Sequence, residues 1–342
     1  MTRPALELEF RFVHEPEPGP SWRALLREYW PAYRRWYYGN YPGAGTRPDY
    51  ATCRRMLRRH LPAMVPVHDA LTELAGGQDD VARFLTLYRP PPSVRGCTQA
   101  VWGRGEDIAL VRNYDFAPHL ADGVVLRSAW SGVDVIALTD CLVGALDGMN
   151  AHGLVASLAF GGDRTVGDGF GTAMLVRAVL EACETVAEAA ALLHDAPVHM
   201  SYTVTLVDRR GDHATVYLRP GRAAETVTTT VATNHQGAVV WPEHARFSQT
   251  VERRQHALEL LDAGDGASDL EALAARFLEP PLYRRAYARC SGTLYTAVYR
   301  PGAGTLDLLW PGARRRFGFD AFEGGTQVAR FEPGPTCGVP GD

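Results

Sequence analysis

Six cysteines stand at positions 53, 97, 141, 183, 290 and 337, and one of them has neighbours suited to covalent chemistry. Cys97 follows Gly96. A residue without a side chain lets the thiol approach the preceding carbonyl and tolerates strained backbone angles there. Attack on the Gly96 carbonyl gives a thioester, and its hydrolysis frees Cys97 as a new N-terminus. An α-amine with a pKa of about 7.7–8.0 can then act as base for a thiol of pKa about 8.5, so that one residue is both nucleophile and base. Downstream, Arg112 offers positive charge that favours thiolate. Asp115 is suited to accept a hydrogen bond from the α-ammonium or the thiol of Cys97. Arg112 and Asp115 also fit an ordinary salt bridge at a strand end; the Gly96-Cys97 junction is what favours the chemical reading.

These residues meet only if the chain between them folds back. Thr98 to Trp102 and Ile108 to Phe116 carry strand-forming residues around Gly103-Arg104-Gly105-Glu106-Asp107, which predicts a β-hairpin with Cys97 at the start of its first strand. Arg112 and Asn113 alternate faces, and Asp115 returns to the face of Asn113. Ahead of the hairpin, Trp22–Tyr38, Ala51–Leu61 and Val67–Tyr88 have helical spacing, with Pro31 expected to kink or break the first and Gly76-Gly77 interrupting the last. Arg89-Pro90-Pro91-Pro92-Ser93 then leads, extended, into Gly96-Cys97. Residues 1–96 therefore read either as a helical packing domain with a stiff linker or as a pro-segment that stays associated after cleavage.

After the hairpin, strands are expected at Val124–Trp130, Val133–Thr139, Cys141–Asp147 and Leu154–Phe160. Helices follow at Gly171–Cys183 and Thr185–His194, the second with a capping box from Thr185 and Glu188. Strands resume at Tyr202–Asp208, His213–Leu218 and Thr226–Ala232, then helices at 249–263 and 269–278, and a last hairpin at Leu294–Arg300 and Thr305–Trp310. Blocks of strands separated by helix pairs suit an α+β fold with layered sheets better than alternating βαβ units.

Composition narrows the function classes. With 342 residues, 46% hydrophobic content and a net charge of −4, the chain suits a globular protein and gives no reason to expect nucleic acid or an anionic membrane as partner. All 35 basic residues are arginine, which excludes Schiff-base and P-loop lysine chemistry. No apolar run reaches the length of a membrane span and no secretory h-region opens the chain, so a cytoplasmic location is expected. The cysteines form no CxxC pair and the histidines no HExxH, so neither a metal nor another cofactor is expected.

Four blocks in one order carry a resemblance. Gly96-Cys97-Thr98-Gln99-Ala100, Leu110-Val111-Arg112-Asn113-Tyr114-Asp115, Asp147-Gly148-Met149-Asn150 with Gly153-Leu154, and Thr233-Asn234-His235-Gln236 resemble the N-terminal-nucleophile hydrolases of the acyl-CoA:6-aminopenicillanate acyltransferase type, with bile-salt and penicillin V hydrolases as more distant relatives. The resemblance implies a four-layer αββα sandwich, a retained N-terminal pro-segment over 1–96 and a catalytic domain over 97–342. It also implies an amidase or acyltransferase working through an acyl-Cys97 on an acyl amide or acyl-CoA.

By the same resemblance, Asn234 donates its side-chain amide to the oxyanion, His235 orients or packs, and the C-terminal arginine is Arg253 or Arg254, with Arg253 fitting better. The second asparagine of the bile-salt branch is replaced by Ala159, which leaves Tyr202 or backbone groups as the other oxyanion donor. Cys141, in an apolar run, reads as a core cysteine. Gly167-Asp168-Gly169-Phe170-Gly171 lacks the spacing of a dinucleotide turn and reads as a loop near the substrate pocket. No coenzyme A motif is recognisable, which tilts the choice between water and an amine acceptor towards hydrolysis. Two alternatives stand beside this reading: an uncut cysteine hydrolase, and a non-catalytic binding protein on the same fold. A homo-oligomer is left open.

Overall fold

The structure, a computed structural model, describes residues 6–39, 47–262, 269–289 and 291–332. Cys290 and Cys337 lie outside the described residues, as does the end of the helix expected over 249–263. The chain begins with strand β1 (Leu6–His14) and helices α1 (Pro20–Tyr38), α2 (Tyr50–His60), α3 (Met64–Leu74) and α4 (Asp79–Phe84). The hairpin follows as β2 (Gly96–Trp102) and β3 (Ala109–Phe116). Then come β4 (Val124–Ser128), β5 (Val135–Asp140), β6 (Gly144–Asn150), β7 (Leu154–Phe160), α5 (Thr172–Ala182) and α6 (Val186–Asp195). Strands β8 (Tyr202–Asp208), β9 (His213–Leu218), β10 (Glu225–Val227) and β11 (Val231–Ala232) precede α7 (Pro242–Ser248), α8 (Thr250–Asp262) and α9 (Leu270–Phe277). The chain closes with β12 (Arg285–Ala286), β13 (Ser291–Arg300), β14 (Thr305–Trp310), β15 (Ala313–Gly318) and β16 (Gly325–Phe331).

Two sheets result. One has the order β10-β9-β8-β7-β6-β5-β4-β1-β16, the other β11-β2-β3-β13-β14-β15 with β12 against β13. Helices α5 and α6 pack on the first sheet, α8 and α9 on the second, and the sheets meet face to face where β2 crosses β7. That is an αββα arrangement. Side chains also bond across the layers: Gln99 Nε2 donates to Ser157 Oγ at 2.8 Å, and the Tyr295 hydroxyl to Asp147 Oδ1 at 2.9 Å.

Several expectations need correction. The segment before Cys97 is not helical throughout, because β1 pairs with β16 and lies parallel to β4 inside the larger sheet. Leu-Glu-Leu-Glu-Phe-Arg-Phe alternates with the strand period, and Phe10 and Phe12 fill the core. Helix α1 runs unbroken through Pro31. The lost hydrogen bond is tolerated because Trp22, Leu25, Leu26 and Tyr37 anchor the helix on both sides of the proline. The stretch 226–232 is two short strands, one in each sheet. Cys141 and Leu142 lie in a left-handed turn, so that β6 starts only at Gly144. Two further strands follow the hairpin expected to be last. At α6, Thr185 caps as expected, but the Glu188 carboxylate reaches the N–H of Glu184, one residue early.

Candidate active site

The hairpin register puts Gly96 opposite Asp115, Cys97 opposite Tyr114, Thr98 opposite Asn113 and Gln99 opposite Arg112. Directly opposed residues share a face and successive residues alternate. Cys97, Gln99, Arg112 and Tyr114 therefore point one way, and Thr98, Asn113 and Asp115 the other. The first set faces the layer between the sheets. The second faces the helices, where Asn113 donates to the carbonyls of Phe277 and Leu282.

On the inter-sheet face, Arg112 Nη2 donates to Cys97 Sγ at 3.3 Å. The guanidinium is held by the Leu146 carbonyl and by Asp147, 3.1 Å away, with Arg112 and Asp147 both fully buried. Burial works against the charge of Arg112, but Asp147 outweighs it and the arginine stays protonated. Arg112 does not make the intact thiol a thiolate. Burial pushes Cys97 up to about 11 against the opposing pull of Arg112, and the residue has no exposed surface.

On the helix face, α8 delivers Arg253, which is also fully buried. Its Nη1 donates to the Cys97 carbonyl and to Thr98 Oγ1, both at 2.6 Å, its Nη2 to Asn234 Oδ1 at 2.6 Å, and its Nε to the Ser248 carbonyl. Asp115 Oδ2 lies 3.6 Å from Arg253 Nη1 and 3.9 Å from Arg284 Nη1, while Asp115 Oδ1 accepts from Thr293 at 2.7 Å. Burial lowers Arg253 to about 10, with Asp115 opposing. Arg254 Nη2 reaches Thr229 Oγ1 at 3.4 Å and, among the described residues, has no hydrogen bond into this cluster.

Asn234 links the two sides. Its Oδ1 accepts from the Cys97 N–H at 3.1 Å, and its Nδ2 donates to the carbonyls of Arg95 at 3.3 Å and Phe160 at 3.2 Å. His235 Nδ1 shares Thr250 Oγ1 at 2.9 Å, a position that orients the Asn234 loop rather than touching the thiol. The Tyr202 hydroxyl is committed to the Ser93 carbonyl at 2.7 Å. Cys141 is a buried free thiol, as are the other described cysteines. The 167–171 loop closes against Pro197, His199 and Leu87.

The structure thus brings Cys97, Arg112, Asp115, Asn234 and Arg253 together, with one difference from expectation. Asp115 makes no hydrogen bond to the thiol of Cys97, because adjacent strand positions put the two side chains on opposite faces. It comes close to Gly96 instead, where a Cβ would stand 2.9 Å from Asp115 Oδ2. Asp147, Thr98, Arg284 and Thr293 join the site beyond the expected set. Asp147 and Thr98 carry a sequence signal, since each stands in one of the four blocks; Arg284 and Thr293 carry none.

Residues 102–315 match the family described as acyl-coenzyme A:6-aminopenicillanic acid acyl-transferase. The chain belongs to that family. The match covers Arg112, Asp115, Asn234 and Arg253 and starts just after Cys97. Solved structures similar to this chain include penicillin V acylase from Agrobacterium tumefaciens, 16% identical over 68% of this chain and 90% of that one, TM-score 0.49. A Caenorhabditis elegans N-acylethanolamine-hydrolyzing acid amidase ortholog is 17% identical over 68% and 100%, TM-score 0.47. A conjugated bile acid hydrolase from Clostridium perfringens is 11% identical over 71% and 99%, TM-score 0.47. No curated protein matches the chain. Among the described residues, no helix is long and apolar enough to cross a membrane.

Proposed function

We propose that this chain is a self-processing cysteine amidase that cleaves a linear acyl amide, or a thioester such as an acyl-CoA, through an acyl-Cys97 intermediate. One observation carries the reading: Cys97 has its thiol on Arg112 and both backbone polar groups held, the N–H by Asn234 and the carbonyl by Arg253. Ordinary core cysteines are not gripped at three points by charged and amide side chains.

In the first step Cys97 Sγ attacks the Gly96 carbonyl, the C–N bond breaks as the amine takes a proton, and water hydrolyses the thioester. Residues 1–96 then end in a carboxylate, and Cys97 carries a free α-amine as base for its own thiol. Asp115, on the α-amine side of the strand, orients that amine, while Arg112 stabilises the thiolate. Asn234 Nδ2, already aimed at a carbonyl one residue upstream of Gly96, is the donor proposed for the oxyanion, an interaction typically of a few kcal/mol. In turnover, Sγ attacks the substrate carbonyl, the amine or thiol leaves protonated, and water releases the acid.

Residues 1–96 form the pro-segment and 97–342 the catalytic segment in this reading. The pairing of β1 with β16 and β4 supports retention of the pro-segment after the cut. Full burial of the thiol argues against an uncut hydrolase, since no substrate reaches it until the chain before it moves. We favour water over an amine acceptor, and a cytoplasmic location without cofactor.

The test is intact mass after incubation of the purified chain. We expect fragments 1–96 and 97–342 that co-elute, and a Cys97→Ala chain that stays whole. Cleavage of Cys97→Ala at the same bond would falsify the mechanism. Trapping with an amide and acyl-CoA panel then separates the acceptors: free acid released at the same rate with or without millimolar amine supports hydrolysis, and a new amide supports transfer.

A further inference from the structure

Immediately before Gly96, Arg95 enters a cavity of about 40 Å³ whose walls are mostly apolar, Leu158 and Met200 among them, with Asp140, Thr172 and His199 as polar members. That volume holds on the order of one water, far less than an acyl chain needs. Asp140 grips Arg95 with two bonds of 2.8 and 2.9 Å, and the guanidinium lies 5.2 Å from the centre of the Phe116 ring. The Arg95 carbonyl accepts from Asn234, the proposed oxyanion donor. Two further polar atoms in the lining, Thr172 Oγ1 and His199 Nε2, are buried without a hydrogen-bond partner, on residues only 4% and 7% exposed. Buried polar atoms of this kind ordinarily have partners.

If Cys97 cuts its own chain, the first acyl group it receives is Gly96 with Arg95 behind it. Any later substrate must bring its carbonyl carbon to the same sulfur, so the atoms behind that carbon run into the space Arg95 now fills. Withdrawal of Arg95 enlarges the cavity and leaves the Asp140 carboxylate without its cation. A second acid lies close by: Asp122 is pushed well above the usual carboxylate range by burial and by the charge of Asp140. A neutral acyl group would leave Asp140 uncompensated in a largely buried site, which is costly.

We propose that the acyl portion of the substrate carries a cationic group, an amine or a guanidinium, which takes the place of Arg95 on Asp140, so that Asp140 selects the substrate. This rests on the acyl-Cys97 reading above. Asp140 and the unpartnered Thr172 and His199 atoms stand among mostly apolar walls, a pocket for a chain that is apolar along its length and charged at one point.

The experiment compares two fluorogenic amides on the processed enzyme: acetyl-Arg-Gly-7-amido-4-methylcoumarin and its citrulline analogue, in which a neutral urea replaces the guanidinium. We expect kcat/KM at least tenfold higher for the arginine probe, and a ratio within twofold of one in Asp140→Asn. Asp134→Asn, which removes a carboxylate paired with Arg127 elsewhere on the molecule, should keep the tenfold preference. If Asp140→Asn does not fold, the wild-type ratio alone decides. Equal rates for the two probes in wild type, or a preference that survives Asp140→Asn, overturns this inference and leaves the amidase reading intact. Release from neither probe overturns this inference, and it overturns the amidase reading too if no member of the amide and acyl-CoA panel acylates Cys97.

Discussion

Arg253 is the residue whose loss should be felt most widely, and the structure sets the size of the effect. Arg253→Met keeps an apolar stem but removes the donors to the Cys97 carbonyl, Thr98, Asn234 and Ser248. It also removes one of two cations on Asp115. With separations of 3.6 Å to Arg253 and 3.9 Å to Arg284 and an effective dielectric of about 20, each cation attracts the carboxylate by about 4–5 kcal/mol before desolvation is counted. Breaking one member of such a buried group typically costs about 3–5 kcal/mol. For a chain of this length, with a melting entropy of roughly 2 cal/mol/K per residue, that is a fall in Tm of about 4–7 °C. Arg254→Met, removing a single long contact, should cost less than about 0.5 kcal/mol. Calorimetry in a Cys97→Ala background keeps every chain uncut and the comparison clean. Asp115→Asn combined with Arg253→Met should cost less than the sum of the two by more than about 1 kcal/mol, since the carboxylate no longer lacks its cation. Equal melting of Arg253→Met and Arg254→Met, or strict additivity with Asp115→Asn, would refute the cluster.

Because burial holds the intact Cys97 thiol up at about 11, only about one molecule in ten thousand is thiolate at pH 7. Its raised pKa favours the neutral form, so the rate at which fragment 97–342 appears from freshly purified chain, which needs the thiolate but no outside reagent, should rise about tenfold per pH unit from 8 to 10. A plateau at pH 8–9 would mean that Arg112 dominates after all. At Gly96, an added methyl would stand 2.8 Å from Asp115 Cβ and 2.9 Å from Oδ2. Gly96→Ala should therefore cost about 1–3 kcal/mol by overpacking and slow the appearance of fragment 97–342 at least tenfold; wild-type melting and cleavage would show that Asp115 yields freely.

What was legible in the sequence followed from local rules. The hairpin from Gly96 to Phe116, the cap at Thr185 and the helix at 270–277 each rest on residues within a few positions of one another. The site is legible as a set of residue types, and the resemblance puts Arg253 ahead of Arg254. What escaped depended on distant partners. Strand β1 has the two-residue period of a half-buried strand, yet its partners are β4 and β16, and the latter lies more than 300 positions away. The break at 226–232 is likewise a choice between two sheets that no window of seven residues contains.

The relation of Asp115 to the thiol shows the same limit at the scale of one strand. Residue type alone points both Asp115 and Arg112 at Cys97, although three positions apart on one strand they face opposite ways. The two-residue period separates the functions. Arg112, anchored on Asp147, stands beside Sγ; Asp115, beneath Gly96 and between Arg253 and Arg284, is aligned with the main chain of the bond proposed to break. A carboxylate placed there would meet an α-ammonium only after the cut, whereas the arginine meets the thiol before it. The two residues therefore belong to different stages of the proposed reaction: Arg112 to every attack by sulfur, and Asp115 to the enzyme that exists once residue 97 has become an N-terminus.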